Sequence, residues 1–157
     1  MRSRAKLLAR PSRVAAKRYE LQPSAKRFES YEMSFAAKAG LGAAAEYALL
    51  LRPERTWPRI QRLAAALREC LVALPHVAVH DHGRVLCGIV SFTVEGRSAD
   101  EVRAALAARR INVSVSGAGS SRLDFEARGL QEVVRASVHY FNSEDEVRRL
   151  VNAVAEL

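Results

Sequence analysis

The clearest alternation of apolar and polar residues lies in residues 133–142, which read VVRASVHYFN. A period of two is typical of a β-strand that has one face in the protein core. The apolar positions of this alternation are Val134, Ala136, Val138 and Tyr140. The polar positions between them, Arg135, Ser137 and His139, predict a second face that is either solvated or equipped to bind a ligand.

Four segments have the spacing or the flanking residues of helices. Residues 34–51 are rich in alanine, and residues 56–74 carry apolar residues at intervals of three and four between a predicted Thr56 N-cap and Pro75. Ser98–Glu101 and Ser143–Glu146 are capping boxes and predict helices that begin directly after each serine. The inward positions of the last helix are Val147, Leu150, Val151, Val154 and Leu157.

Three further apolar segments, residues 77–81, 85–94 and 111–116, are predicted to be strands. The nearly unbroken apolar run Val85–Val90 predicts a strand buried on both faces. The resulting order is helix, helix, strand, strand, helix, strand, strand, helix. It predicts an α+β fold, a two-layer sandwich in which helices cover one face of a small, mainly antiparallel sheet.

The net charge of +8 is concentrated at the N-terminus. Residues 1–18 contain seven basic side chains and no acidic one, whereas residues 19–157 contain 18 basic and 17 acidic side chains. The sequence therefore predicts a basic, disordered tail at 1–18, an extended linker at 19–33 and one folded domain at 34–157. The tail is also compatible with a mitochondrial transit peptide or a nucleic-acid-binding arm.

Other candidate chemistry is sparse. Cys70 and Cys87 have no motif spacing and are predicted to be buried, reduced core residues, as in a cytosolic protein. His76, His80 and His82 lie close in sequence without a complete ligand set, so no metal site is predicted. The glycine-serine loop at residues 117–121 is suited to cradle an anion, but it lacks the lysine and glycine fingerprints of nucleotide-binding loops.

The segment at 133–142 is also part of a longer pattern. Arg135-Ala136-Ser137, then Asn142 and a serine that opens a Glu-rich helix, resemble the C-terminal end of the class V aminotransferases. This pyridoxal-phosphate family includes cysteine desulfurases and isopenicillin N epimerase-like enzymes. Further similarities follow in the family's order, at Arg27–Glu29, Gly40-Leu41, Leu74-Pro75, Gly88–Phe92, Leu123-Asp124 and Arg128–Leu130. The resemblance runs from about Tyr19 to Leu157.

The resemblance implies the small C-terminal domain of a fold-type I pyridoxal-phosphate enzyme. In such enzymes the strand arginine that corresponds to Arg135 receives the substrate carboxylate. We therefore expect Arg135, Ser137, His139 and Asn142 to bind an amino-acid-like carboxylate substrate. The resemblance identifies no catalytic residue and no cofactor contact within this chain.

The family's large domain, which carries the lysine of the Schiff base, is not recognisable in these residues. The four lysines, Lys6, Lys17, Lys26 and Lys38, precede or begin the resemblance, and none has the sequence context of the family's lysine. We therefore expect a fragment that is inactive alone and binds no pyridoxal phosphate by itself. No cysteine occurs between Ile111 and Val133, which argues against persulfide chemistry.

Two other functions remain open. A nucleic-acid-binding α+β domain is disfavoured, because the excess basic residues lie in the tail and only 6% of residues are aromatic. A non-catalytic partner that pairs with a separate large domain, or with a second copy of itself, is the other alternative. No apolar run is long enough to span a membrane, so we expect a cytoplasmic protein, or a mitochondrial one if the tail is a transit peptide.

Overall fold

The computed structural model describes residues 11–15, 18–21, 23–28 and 33–157. Two compact units are present, Met1–Tyr47 and Ala48–Leu157. The division between these units lies inside helix α1 (Phe35–Leu50). Within the described residues, no helix has the length and apolar character needed to cross a membrane.

The first unit contains a two-stranded antiparallel sheet, β1 (Pro11–Ala15) and β2 (Arg18–Leu21), and one turn of 3-10 helix at Ala25–Phe28. Pro11–Ala15 belongs to the segment that the sequence predicts to be a disordered tail, and here its pairing with β2 satisfies backbone groups. The rest of the predicted tail, except Arg18, lies outside the described residues. Helix α1 confirms the alanine-rich prediction, and none of its described side chains is buried.

The second unit is built on a four-stranded sheet in the order β3-β4-β6-β5, with every neighbouring pair antiparallel. Its strands are β3 (Val77–Val79), β4 (Ile89–Val94), β5 (Ser114–Gly117) and β6 (Glu132–Ser137). Its further helices are α2 (Pro53–Val72), α3 (Ala99–Ala108), α4 (Arg122–Ala127) and α5 (Glu144–Ala155). The α+β prediction with an antiparallel sheet is confirmed.

The core lies between one face of this sheet and the helices α2, α3 and α5. The strand residues in it are Val90, Phe92, Val94, Val134 and Ala136. Both capping boxes form as predicted, with Ser98 accepting from the Glu101 amide and Ser143 accepting from the Glu146 amide. Burial of alternate residues on β4 and β6 leaves the opposite face of the sheet for the side chains between them.

Several predicted boundaries are wrong. Helix α2 begins at Pro53 and not after Thr56. A proline is well suited to the first helical turn, because N–H groups there have no acceptor within the helix and the missing N–H of proline costs no hydrogen bond. Strand β4 begins only at Ile89, and Val85 is 73% exposed instead of doubly buried. Strand β5 begins at Ser114 instead of Ile111, and α4 was not predicted.

Strand β6 ends at Ser137. Val138 and Tyr140, which the alternation places in the strand, therefore lie beyond its end. The chain turns there, and the N–H of Asn142 donates to the carbonyl of His139 at 3.1 Å. Just before the turn, the N–H of Val138 donates to the carbonyl of Gly88 at 2.8 Å. A Cβ atom at Gly88 would lie 2.4 Å from the Val138 oxygen and 2.7 Å from Ile60 Cγ2, so only glycine fits this approach.

Candidate functional site

Arg135 lies on β6 with a paired strand on each side. Its direct neighbours across the sheet are Ser91 on β4 and Ser114 on β5. Val134 and Ala136, which flank Arg135 in the sequence, are buried in the core, so the guanidinium group projects from the opposite face. There the Nη1 atom of Arg135 donates to Oγ of Ser116 at 3.2 Å. The predicted orientation of Arg135 is thus confirmed, and the residue belongs to an interior strand.

A cavity of about 430 Å³ lies over this face of the sheet. Its polar lining comes from α2, the loop before β4, the strands β4, β5 and β6, the loop after β5, and α4 with the residues that follow it. Buried Val133 and Phe125 supply part of its apolar wall. The charged side chains in its lining, apart from histidines, are Arg68, Asp81, Asp124, Arg128 and Arg135.

Arg68 and Asp81 form a nearly buried ion pair at one side of the cavity. The Nε atom of Arg68 lies 2.7 Å from Oδ2 of Asp81, and the two side chains are only 12% and 10% exposed. The Nη2 atom of Arg68 also donates to the carbonyls of Cys87 and Ile89. On its other oxygen, Asp81 accepts from the N–H and the Oγ–H of Ser91, the cross-strand neighbour of Arg135. This network fixes the loop before β4 against the sheet.

Arg128 and Asp124 form a second pair across one helical turn. The Nη1 atom of Arg128 lies 3.1 Å from Oδ2 of Asp124, and its Nη2 atom donates to the carbonyl of His80. Asp124 is also 4.0 Å from Nε2 of His82, which adds an ionic attraction only when that imidazole is protonated. Partial burial, together with the positive charge of Arg128, lowers the pKa of His80, against an opposing effect of Asp81.

The charges of the cavity therefore differ in how they are compensated. Each carboxylate, Asp81 and Asp124, is paired with an arginine of its own. Among the described residues, no carboxylate pairs with Arg135, whose recorded side-chain hydrogen bond goes to a neutral hydroxyl. With three arginines and two aspartates in the lining, the surplus positive charge of the cavity is that of Arg135.

The other residues predicted to bind the substrate lie elsewhere. Ser137 and Asn142 line a second cavity of about 380 Å³, and His139 lines neither of the two cavities. The side chain of Asn142 accepts from the His139 N–H at 2.8 Å and donates to Glu146 at 3.2 Å. Asn142 thereby holds the turn after β6 and the start of α5, which is a structural function. The structure brings only Arg135 of the four predicted residues into the cavity over the sheet.

The glycine-serine loop contributes side chains to this cavity and offers fewer backbone donors than its composition predicts. Ser120 and Ser121 line the cavity. Two of the amides of the loop are already used, because Ala118 donates to the carbonyl of Gln131 and Ser120 donates to the carbonyl of Gly117. These two amides are therefore not available to an anion.

Two predictions about other side chains need correction or comment. Cys70 and Cys87 are both exposed, not buried, because Cys70 lies off the buried stripe of α2 and Cys87 lies in the loop before β4.

The three histidines do not converge: His76 contacts the Val154 carbonyl, whereas His80 contacts the Thr93 hydroxyl. Within the described residues, no group of three or more potential metal ligands occurs.

Some residues of the cavity carried a sequence signal that we did not use. Asp124 and Arg128 have the four-residue spacing of a helical ion pair, and both lie in segments that resemble the class V aminotransferases. Arg68 and Asp81 carry no such signal, because their contact joins a helix and a loop 13 residues apart. Only the three-dimensional structure reveals that pair.

Comparison with known proteins identifies the family. The family model described as aminotransferase class-V matches residues 9–150, which is most of the chain. The chain belongs to the class V aminotransferases. The match begins ten residues before the resemblance noted in the sequence, so it includes part of the basic segment. No curated protein sequence matches the chain.

Solved structures of class V aminotransferase-like enzymes share the fold. The apo cysteine desulfurase of Thermococcus onnurineus NA1 superposes with a TM-score of 0.74 at 26% identity, over 94% of this chain and 37% of its own. The Escherichia coli cysteine desulfurase CsdA gives 0.74 at 20% identity, over 93% and 36%. The cystine C-S lyase C-DES, solved with its product cysteine persulfide, gives 0.63 at 24% identity, over 96% and 37%. This chain thus spans little more than a third of these enzymes.

Pyridoxal phosphate is the cofactor of the lyase, for which a structure with glycine covalently linked to the cofactor is also known. Such a cofactor is held through a lysine amine and a cradle for its phosphate. The lining of the cavity over the sheet contains no lysine. Of the lysines in the described ranges, Lys26 and Lys38 both lie in the other compact unit. The cavity therefore does not by itself fit the cofactor.

Proposed function

We propose that this chain supplies the substrate-carboxylate site of a pyridoxal-phosphate enzyme that acts on amino acids. Arg135 is the residue that binds the carboxylate. The observation that carries this proposal is the uncompensated guanidinium of Arg135 in a cavity whose two carboxylates each have another arginine. Membership of the class V aminotransferases supports it.

Arg135 is suited to this task by its chemistry and its position. A guanidinium group binds a carboxylate through two parallel N–H···O bonds, a geometry that an ammonium group does not reproduce. Strand β6 is paired on both edges, so the base of the side chain is fixed. The hydrogen bond to Ser116 restricts the guanidinium further and leaves its remaining N–H groups for a ligand.

The cofactor enters this proposal only as the group that supplies carbanion stabilisation in full-length members of the family. Because the cavity contains no lysine, we assign no step to the cofactor here. The contribution of these residues is to bind the carboxylate and to orient the amino acid. Ser137, His139 and Asn142 lie outside the cavity lining, so we retain Arg135 alone from the four predicted residues.

The test is carboxylate binding by the full 157-residue chain. Titration with propionate, followed in 1H–15N spectra, should shift the side-chain Nε–H resonance of Arg135 and saturate. Arg135→Ala, followed through the backbone amide resonances of the other residues that line the cavity, should weaken this binding at least about tenfold, because a charge-assisted bidentate contact is lost. Arg135→Lys should restore only a small part of it.

Arg103→Ala is the matched control. Arg103 lies on α3, is about half exposed and pairs with Asp100 outside the cavity. This variant removes the same charge and should bind propionate as the unaltered chain does. Equal weakening by Arg103→Ala and Arg135→Ala would mean that propionate responds only to net charge, and the proposal would be wrong.

A further inference from the structure

We infer that the cavity selects substrates with a single carboxylate and gives no added affinity to a second one. This inference rests on the proposed function and concerns the substrate class of the same site. Two more arginines line the cavity, but both are neutralised from within the protein. A dicarboxylic amino acid would therefore find one cation for two anionic groups.

Arg68 is the less available of the two. Its guanidinium group makes three hydrogen bonds, one to Asp81 and two to backbone carbonyls, and its side chain is only 12% exposed. A ligand carboxylate would have to displace Asp81, which itself holds Ser91. Breaking a nearly buried ion pair leaves one charge uncompensated, and the free energy lost exceeds the free energy gained from a weak contact with the ligand.

Arg128 is more accessible than Arg68, but its guanidinium group is also occupied by partners within the protein. It contacts the Asp124 carboxylate through Nη1 and the His80 carbonyl through Nη2. Asp124 is 42% exposed and faces the same cavity, so it repels an approaching second carboxylate. The imidazole of His80 has a lowered pKa and is neutral at neutral pH, so it adds no cation. Specificity of this kind arises from a repulsive group as much as from an attractive one.

The experiment compares propionate with succinate on the full chain at about pH 8. The measured quantity is the ratio of the two association constants at constant ionic strength. Asp124→Asn removes the internal partner of Arg128 and should raise the preference for succinate about two- to fivefold, the range of a partly exposed ion pair. The double substitution Asp124→Asn/Arg128→Gln should return the ratio to that of the unaltered chain, because the cation freed by Asp124→Asn is removed together with its partner.

Asp145→Asn is the matched control for charge. Asp145 pairs with Arg148 on α5 and does not line the cavity. The substitution changes the net charge as Asp124→Asn does, so any general attraction of a dianion to this basic protein affects both variants alike. The ratio for Asp145→Asn should equal that of the unaltered chain.

The outcomes separate this inference from the proposed function. If propionate binds through Arg135 but Asp124→Asn does not change the ratio, or the double substitution Asp124→Asn/Arg128→Gln keeps a raised ratio, the inference is wrong and the carboxylate site stands. If neither acid shifts the Arg135 resonance, the proposed function is wrong and the inference is overturned with it. A ratio raised by Asp124→Asn alone supports both.

Discussion

Three arginine side chains line the same cavity, and their partners decide what each contributes. Arg68 and Arg128 bind aspartates of the same protein, whereas the described partner of Arg135 is the neutral hydroxyl of Ser116. The functional difference between them thus depends on where Asp81 and Asp124 lie. Among these three arginines, the charge of the neighbouring side chains, and not the residue type, decides which guanidinium is left without an anionic partner.

The Arg68–Asp81 pair leads to a prediction about stability. Asp81→Ala should lower the free energy of unfolding by roughly 3 kcal/mol, because it leaves the nearly buried guanidinium of Arg68 uncompensated. It also removes the acceptor for both donors of Ser91. Urea denaturation measures the loss.

Asp145→Ala provides the comparison, since that pair is exposed and its loss should cost less than about 1 kcal/mol. Equal losses for the two substitutions would show that Asp81 contributes no more than a surface carboxylate. In that case the network would not be what holds the loop before β4.

Individual residues also show how far the sequence predicts this site. Alternation identified the face of Arg135 correctly, since Val134 and Ala136 beside it are buried. The same alternation placed Ser137 and His139 with Arg135, but β6 ends at Ser137 and the chain turns away. A strand pattern carries no information about where its partner strands end, so the sequence did not indicate the turn after Ser137.

The helices differ in how strongly local sequence specifies them. α3 and α5 begin at capping boxes, and hydrogen bonds from the serine backbone lower the pKa of Glu101 and Glu146, so both carboxylates are ionised at neutral pH. α4 has six residues, and its N-cap Ser121 makes no side-chain hydrogen bond. The first two were predictable from sequence, whereas α4 depends on tertiary contacts such as the buried Phe125.

Two kinds of substitution distinguish the caps from the core. Ser98→Ala and Ser143→Ala should each lower the free energy of unfolding by about 0.5 to 2 kcal/mol, because one helix N–H loses its acceptor. Leu150→Ala should cost roughly 2 to 5 kcal/mol, because Leu150 is buried in the core. Thermal or urea unfolding measures all three, and a larger loss from the caps would contradict the packing of α5 described above.

At the scale of the whole chain, the fold class was predictable because the helices and strands indicated by local sequence patterns are those that form the antiparallel sheet and its helical layer. Antiparallel strands and a helical layer follow from alternation and capping. The strand order β3-β4-β6-β5 does not follow, because β4 and β6 pair across about 40 intervening residues. The cavity over the sheet depends on that long-range pairing and was not visible in the sequence.

The position of the lysines leads to a prediction for the intact chain. Mixed with pyridoxal phosphate and reduced with borohydride, it should show only weak, non-saturating labelling, because the cavity offers no amine and Lys38 is exposed on α1. Mass spectrometry of tryptic peptides measures the labelled fraction at each lysine. Stoichiometric, saturable labelling at a single lysine would contradict this and would reveal a cofactor site within these residues.

The pairing of β6 on both edges has a consequence for how this site changes over time. Amides of an interior strand exchange with solvent only when the sheet opens, so hydrogen exchange near Arg135 reports global unfolding and not local breathing. The backbone that carries Arg135 is thus as persistent as the fold itself. If the proposed function holds, new substrate preferences would arise by mutation of the loop before β4 and of residues 117–121, because these loops line the cavity around the fixed side chain of Arg135.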